Sequence, residues 1–447
     1  MIATMDILMS ITAASSGVFK RWLKPALLSV LSAFILSAAA HAETSPRPRS
    51  GQSVVYAGAG ADLIWYALNV KDATLSTRGS VTLPASIQEA WVHPSGRYLY
   101  VGWSDGGASS VSAGANVIPV GTQHGLTAFR IDQTSGALQP LGEPASLRAR
   151  PIYLTTDASG EHVLVAYNNP SGLTVHSLRP DGSIGEEVKQ PAALDTGIYG
   201  HQVRMMPSNR GVILVTRGNA PTAARPEDPG ALKVFDYSNG VLANRASVAQ
   251  NNGFGFQSRH LDFHPSQPWA YLTLERQNKL LVYSVQDGKL APQPLYMKET
   301  LAAPDNVRPG QATSAIHVHP SGKFVYLGNR AGATAEVDGK SAFIGGENSI
   351  AAYAIDEHSG EPRLIQTIDS RGFYPRTFAL NGSGDILVVA NQLPVPVRKG
   401  ADVSIVPASL AVFHVHPNGK LEFAHKYDFD LPSGRSLFWT GIVSLTK

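Results

Sequence analysis

The chain of 447 residues contains no cysteine. That excludes disulfides, cysteine–zinc sites and thiol catalysis. It does not fix the compartment, since a cysteine-free chain tolerates an oxidising one. Charge is also scarce: 16% of residues are Asp, Glu, Lys or Arg, and the net charge is only +3. No Lys/Arg block and no nucleic-acid-binding motif occurs, so nucleic acid is not an expected partner. There is no P-loop and no Rossmann glycine fingerprint. No G-x-S-x-G elbow is present to carry a serine nucleophile. The histidines are not spaced as a local ligand set and no carboxylate cluster accompanies them. Neither a metal nor a cofactor is therefore expected, with a calcium ion on loop carbonyls the one case left open.

Long apolar runs are missing everywhere except near the N-terminus. There Lys20, Arg21 and Lys24 precede the apolar run from Pro25 to Ala40, and Ala40-His41-Ala42 fits an A-x-A cleavage site. The run is short for a membrane span and a cleavage site follows it. Residues 1–42 are expected to be a signal peptide cleaved after Ala42, and 43–52 a disordered leader. Residues 53–447 are expected to be the folded domain, periplasmic or secreted, with no stable membrane insertion after cleavage. Met5 and Met9 are alternative starts.

What the chain has in quantity is apolar residues (43%), Gly (42) and Pro (30). Their even scatter implies many turns and an all-β protein. One unit recurs: an apolar strand, a turn like His-Pro-Ser-Gly, a second apolar strand, a gap, and two more strands. The turn appears at His93, Asp157, Met206, His264, His319 and Asn381. Four short strands per unit, repeated, predict a β-propeller, because no unit can bury both faces alone. Six units are visible. Three strands near the N-terminus (Ser53 to Val81) and one near the C-terminus (Leu437 to Leu445) supply a seventh. The fold class is therefore all-β, a seven-bladed propeller closed by pairing the N-terminal strands with the C-terminal strand. Closure removes exposed edges, and a closed ring of this kind is expected to be a monomer.

Aligning the copies separates structural positions from free ones. His93, His264 and His319 recur in the turn and read as turn caps. Five residues before that turn position, the copies carry Gln88, Ile152, His201, Arg259, Ser314 and Arg376. Nine residues after the turn serine they carry Ser104, Asn168, Arg217, Glu275, Arg330 and Gln392. Innermost strands run one way and second strands return, so both sets lie on the rim opposite the turns. The second set is wholly polar although its strands are almost purely apolar. Several arginines, a glutamate and a histidine around one axis are expected to hold an anionic or polyhydroxylated ligand. Long loops after Trp103, Arg217, Arg330 and Gln392 rise from the same rim.

In this order the motifs resemble those of the seven-bladed lactonase family, which includes propeller-type 6-phosphogluconolactonase and fungal carboxymuconate lactonizing enzyme. The resemblance spans about Ser53 to Leu445. It is carried by Gly200-His201-Gln202-Val203, Arg259-His260, Leu274-Glu275, Ile316-His317-Val318-His319-Pro320, Asn329-Arg330, Tyr374-Pro375-Arg376-Thr377-Phe378 and Asn391-Gln392. The resemblance implies a site at His201, Arg259, Glu275 and Arg330, the same cluster found from the repeats. Arg376, Arg217, Gln392, Asn168, Gln88 and His317 are expected to bind substrate. Ser258 stands where the family usually has proline, and Gln202 and Val203 where it has small residues. The implied activity is hydrolysis of a sugar-type lactone, a small-molecule lactone or carboxylate being the partner. His201 would be the general base, and Glu275 would orient it or serve as acid/base. The alternatives are lactonizing cycloisomerisation of a muconate-type dicarboxylate, and a non-catalytic propeller that binds a glycan or protein.

Overall fold

The computed structural model describes residues 52–107, 120–286, 288–432 and 435–446. The expected signal peptide, its cleavage site and nearly all of the 43–52 leader lie outside these residues. Seven antiparallel sheets form the blades, five of four strands and two in which the outer edge is split between two short strands. In the first, Ser53–Ala59, Asp62–Asn69 and Thr74–Thr82 are joined by the C-terminal strand Leu437–Ser444. Ser53 sits opposite Ser444 and Ala57 opposite Thr440. The expected closure is thus observed: the last strand of the chain is the innermost strand of the first blade.

The other innermost strands are Ser86–Val92, Pro151–Thr156, Gly200–Met205, Ser258–Phe263, Ala312–Val318 and Pro375–Leu380. Each contacts the next, and the C-terminal strand contacts both Pro375–Leu380 and Ser86–Val92, so the ring is complete. The second strands, such as His162–Asn168 and Ile386–Asn391, are buried end to end. Their continuous apolar sequence follows from having a neighbouring blade on each face. Val325 and Leu327 pack with Tyr271 and Val282 of the blade before, whereas Tyr326 packs with Leu387 and Val389 of the blade after. Full burial of one such side chain contributes about 1.5–3 kcal/mol.

Polar ties stitch the same interfaces. The turn histidines bond one blade onward: Nε2 of His93, His264 and His319 donates to the carbonyl oxygens of Gly160, Gly322 and Gly384 at 3.0, 2.9 and 3.1 Å. Their Nδ1 atoms accept backbone N–H groups within their own turns, which places the proton on Nε2. Gly384 has φ +81°, and a Cβ there would lie 2.0 Å from His319 Nε2, so only glycine fits beneath the ring. Tyrosines of four blades do the same work from the second layer. Tyr56, Tyr100, Tyr271 and Tyr326 donate to the carbonyls of Gly136, Gly182, Gly360 and Gly419 at 2.6–3.0 Å.

Two hairpins, Thr334–Val337 with Lys340–Phe343 and Val395–Lys399 with Asp402–Val406, are built from the gaps after Arg330 and Gln392. They contact each other. Leu393 and Val395 form a small apolar cluster with Tyr374, against which Phe343 and Phe373 pack.

Candidate active site

Every innermost strand is bulged near the rim opposite the turns. Pairing with the neighbouring strand skips Gln88, Ile152, His201, Arg259 with His260, Ser314 with Ala315, Arg376, and Phe438. A bulge frees one residue from the ladder and re-aims its side chain. The first repeat-aligned set is therefore a ring of bulge residues, and the C-terminal strand adds Phe438 as its seventh member.

The second set meets the first through backbone clips. The carbonyls of Tyr199, Gln257 and Tyr374, each just before an innermost strand, accept the N–H groups of Arg217, Glu275 and Gln392 at 2.9, 2.8 and 3.0 Å. Tyr199 and Tyr374 adopt φ +59° and +60°, a left-handed conformation costly for a bulky side chain. Each lies beneath a guanidinium: Arg217 Cζ is 3.9 Å from the Tyr199 ring centre, and Arg330 Cζ is 4.7 Å from that of Tyr374. Arg376 stacks likewise on Phe438 at 3.8 Å.

Glu275 is the hub. Its Oε2 accepts from Arg217 Nη1 at 3.0 Å, while Oε1 faces Arg259 Nε at 3.3 Å and bonds Arg330 Nη2. Burial alone would raise the Glu275 pKa, but Arg217, Arg330, Arg259 and His201 hold it well below the usual carboxylate range. Arg259 is completely buried. Burial and the neighbouring Arg330 and Arg376 push its pKa well down, against the pull of Glu275. A guanidinium nonetheless keeps its proton, so the direction signals uncompensated positive charge. Four arginines, of which Arg259, Arg330 and Arg376 are buried and Arg217 is partly exposed, gather around one ionised carboxylate. Arg259 Nη2 and Arg330 Nε are buried without a protein partner, each a deficit of about 1–3 kcal/mol that a ligand can remove.

His201 is buried, and its Nδ1 has no protein partner. Burial first, then Arg259, Arg376 and Arg217, hold its pKa well below the ordinary histidine value, with Glu275 opposing. The ring is neutral at pH 7. It stands edge-on to His260 with centres 5.1 Å apart.

The structure thus brings His201, Glu275, Arg259, Arg330, Arg217 and Arg376 into one electrostatic cluster. Gln88, Asn168 and Gln392 are buried on the same rim. The Oε1 atoms of Gln88 and Gln392 lack partners, and the Nε2 atoms of these two bond Ser86 and Ser436 rather than the site. His317, also expected among the substrate contacts, lies further along its strand and lines a cavity with Glu89 and His260. It lies two residues before the turn at the other end of its strand, with Nδ1 3.7 Å from Asp262 Oδ2 and its ring edge-on to Phe378. The repeat comparison also missed four residues. Tyr199 and Tyr374 are ordinary loop positions in sequence. Glu89 follows directly on a bulge and His260 lies within one, which cannot be seen without the pairing.

The lactonase, 7-bladed beta-propeller family profile matches residues 55–395. The chain belongs to this lactonase family. It is 26% identical over 381 residues to the 6-phosphogluconolactonase of Pectobacterium carotovorum, covering 83% of this chain and 94% of that protein. It is 27% identical over 272 residues to the 6-phosphogluconolactonase of Bacillus subtilis, covering 60% and 71%. Among solved structures, the periplasmic gluconolactonase of Pseudomonas aeruginosa superposes with a TM-score of 0.61 at 20% identity, over 88% of this chain and 99% of that one. At that identity the likeness concerns the fold.

Proposed function

We propose that the chain is an exported hydrolase that opens a sugar-type lactone in the arginine-lined rim pocket. The observation that carries the reading is the pairing of a neutral, buried imidazole with guanidinium edges that have no protein partner. Ring opening needs an activated water and charge stabilisation on the carbonyl oxygen. His201 removes a proton from water, whose oxygen adds to the lactone carbonyl. Arg259, with Arg330 and Arg376 beside it, stabilises the oxyanion and then holds the product carboxylate. Glu275 does not exchange protons in this scheme. Clamped by three arginines, it stays ionised and sets their positions. Export rests on the leader before Glu43, and it makes an aldonolactone more suitable than a phosphorylated sugar. The names of relatives support a gluconolactone-like ring: 6-phosphogluconolactonases in sequence, a periplasmic gluconolactonase in fold.

A second reading follows from the charge excess. Four arginines against one carboxylate also suit a dianion, as in lactonizing cycloisomerisation of a muconate-type acid. The deciding experiment is pH-stat titration of glucono-1,5-lactone with the spontaneous rate subtracted, in the mature chain and in His201→Ala. Turnover that falls by about two orders of magnitude or more in the variant supports hydrolysis. No turnover in the parent refutes it and sends the test to muconate-type acids. Ligand binding that survives in both chains, with no turnover of either class, leaves a non-catalytic propeller.

A further inference from the structure

Glu89 is a buried carboxyl that the scheme above leaves unused, and among the described residues no cation pairs with it. It follows Gln88 on a bulge, so it faces the propeller axis while Ile87 and Ala90 pack into the blade. There it lines a cavity of about 260 Å³, together with Trp91, Tyr153, His260, Thr377 and Trp439. His260 and Thr377 belong to the same bulged segments that carry Arg259 and Arg376. Glu89, His260 and Thr377 therefore form the layer immediately below the guanidiniums. The layer is polar and short of partners. His260 Nε2 and Thr377 Oγ1 are buried without one. Arg259 Nη1 lies 3.2 Å from His260 Nδ1, and a guanidinium can only donate, so His260 carries its proton on Nε2.

Opening a lactone with an alkoxide leaving group needs a proton at the ring oxygen. The guanidiniums hold their protons too tightly, and Glu275 is a fixed anion. Resting on the hydrolytic reading above, we infer that Glu89 is the proton donor to the leaving ring oxygen, acting from the floor of the arginine pocket. The step balances. A water O–H bond breaks with its proton going to His201, and the water oxygen bonds to the carbonyl carbon. The ring C–O bond then breaks as its oxygen takes the Glu89 proton, leaving the Glu89 carboxylate and protonated His201. That proton returns to Glu89 through water, and the product acid ionises against the arginines, releasing one proton to solvent. The environment keeps Glu89 armed. Burial raises its pKa to about 8, against the opposing pull of Arg376, Arg259, the Ala90 N–H and Trp439. Tyr153 faces it from the third blade, and His260 and His317 line the same cavity from the fifth and sixth.

The test is Glu89→Gln, which keeps shape and hydrogen bonding but cannot supply a proton. On glucono-1,5-lactone, kcat is expected to fall roughly 100-fold with KM within about threefold. On dihydrocoumarin, whose phenolate leaves without protonation, the rate is expected to change less than about threefold. With glucono-1,5-lactone alone, the parent's blank-corrected rate declines above about pH 8, and that basic limb is absent from the residual rate of the variant. Equal losses on both lactones, an unchanged kcat, or a basic limb shared by both chains overturns the inference. An intact Glu89→Gln beside an inactive His201→Ala overturns only this step, whereas an inactive parent overturns the hydrolytic reading itself.

Discussion

Replacing Glu275 with glutamine removes the only carboxylate that, among the described residues, is ion-paired with these arginines, while leaving volume and hydrogen-bonding shape nearly intact. Arg217, Arg259 and Arg330 all contact it, and it is 5% exposed. Solvent therefore screens little of the loss. Breaking a buried ion pair from one side costs about 3–5 kcal/mol, because charge is left uncompensated. At about 2.1 cal/mol/K per residue, a body of roughly 390 residues has an unfolding entropy near 0.8 kcal/mol/K, so Tm should fall by about 4–6 °C. The charge reasoning adds a second requirement. The unmatched guanidiniums should bind sulfate, and a sulfate concentration about 100-fold above its Kd should restore about 2.7 kcal/mol. Differential scanning fluorimetry of parent and variant across a sulfate series reads both effects. A variant that melts within 1 °C of the parent would refute the argument, as would sulfate stabilising both chains equally.

Three further outcomes are expected. Glu89 has a folded pKa of about 8 against an ordinary 4.5, so the folded chain holds an extra proton between those values. Its contribution is complete below about pH 4.5 and is lost as pH rises through 8. The unfolding free energy of the parent from urea titration should therefore drop relative to Glu89→Gln between pH 5.5 and 9, by up to about 3 kcal/mol; parallel curves would contradict this. Tyr374→Phe should retain kcat/KM within about twofold, while Tyr374→Leu should lose roughly tenfold, since the stack on Arg330 needs an aromatic face and no hydroxyl. Equal activity in the two variants would deny the stack a role. Tyr326→Phe leaves the buried Gly419 carbonyl without its donor and should destabilise the chain by about 1–2 kcal/mol in chemical denaturation. A loss under about 0.3 kcal/mol would show that this inter-blade tie contributes nothing.

Fold and closure were legible because propeller repeats repeat their chemistry. His93, His264 and His319 mark the same turn, and the apolar second strands mark the same buried layer. The inference from these to a ring needed only that no blade can cover its own faces. The inter-blade reach of the turn histidines was not legible. The sequence shows a cap within one turn, but the Gly160, Gly322 and Gly384 carbonyls that each Nε2 finds lie 67, 58 and 65 residues further on, in the next blade.

The site was half legible for a related reason. A repeat comparison finds positions where aligned residues differ in chemistry, and His201, Arg259, Glu275, Arg330, Arg217 and Arg376 are such positions. It assumes, however, that strand residues alternate strictly between faces. The bulge ring breaks that alternation, placing Glu89 and His260 toward the axis where a regular strand would turn them away. His317 entered with a motif, and two residues of rise past the Ser314–Ala315 bulge carry it down to the wall of the cavity that Glu89 and His260 line. The tyrosines beneath Arg217 and Arg330 were hidden because their φ values, not their identities, place them there. What the alignment misses is therefore one class of residue: those whose direction is set by backbone irregularity. Such residues form the floor and back wall of this pocket, where proton donation and arginine alignment would be controlled.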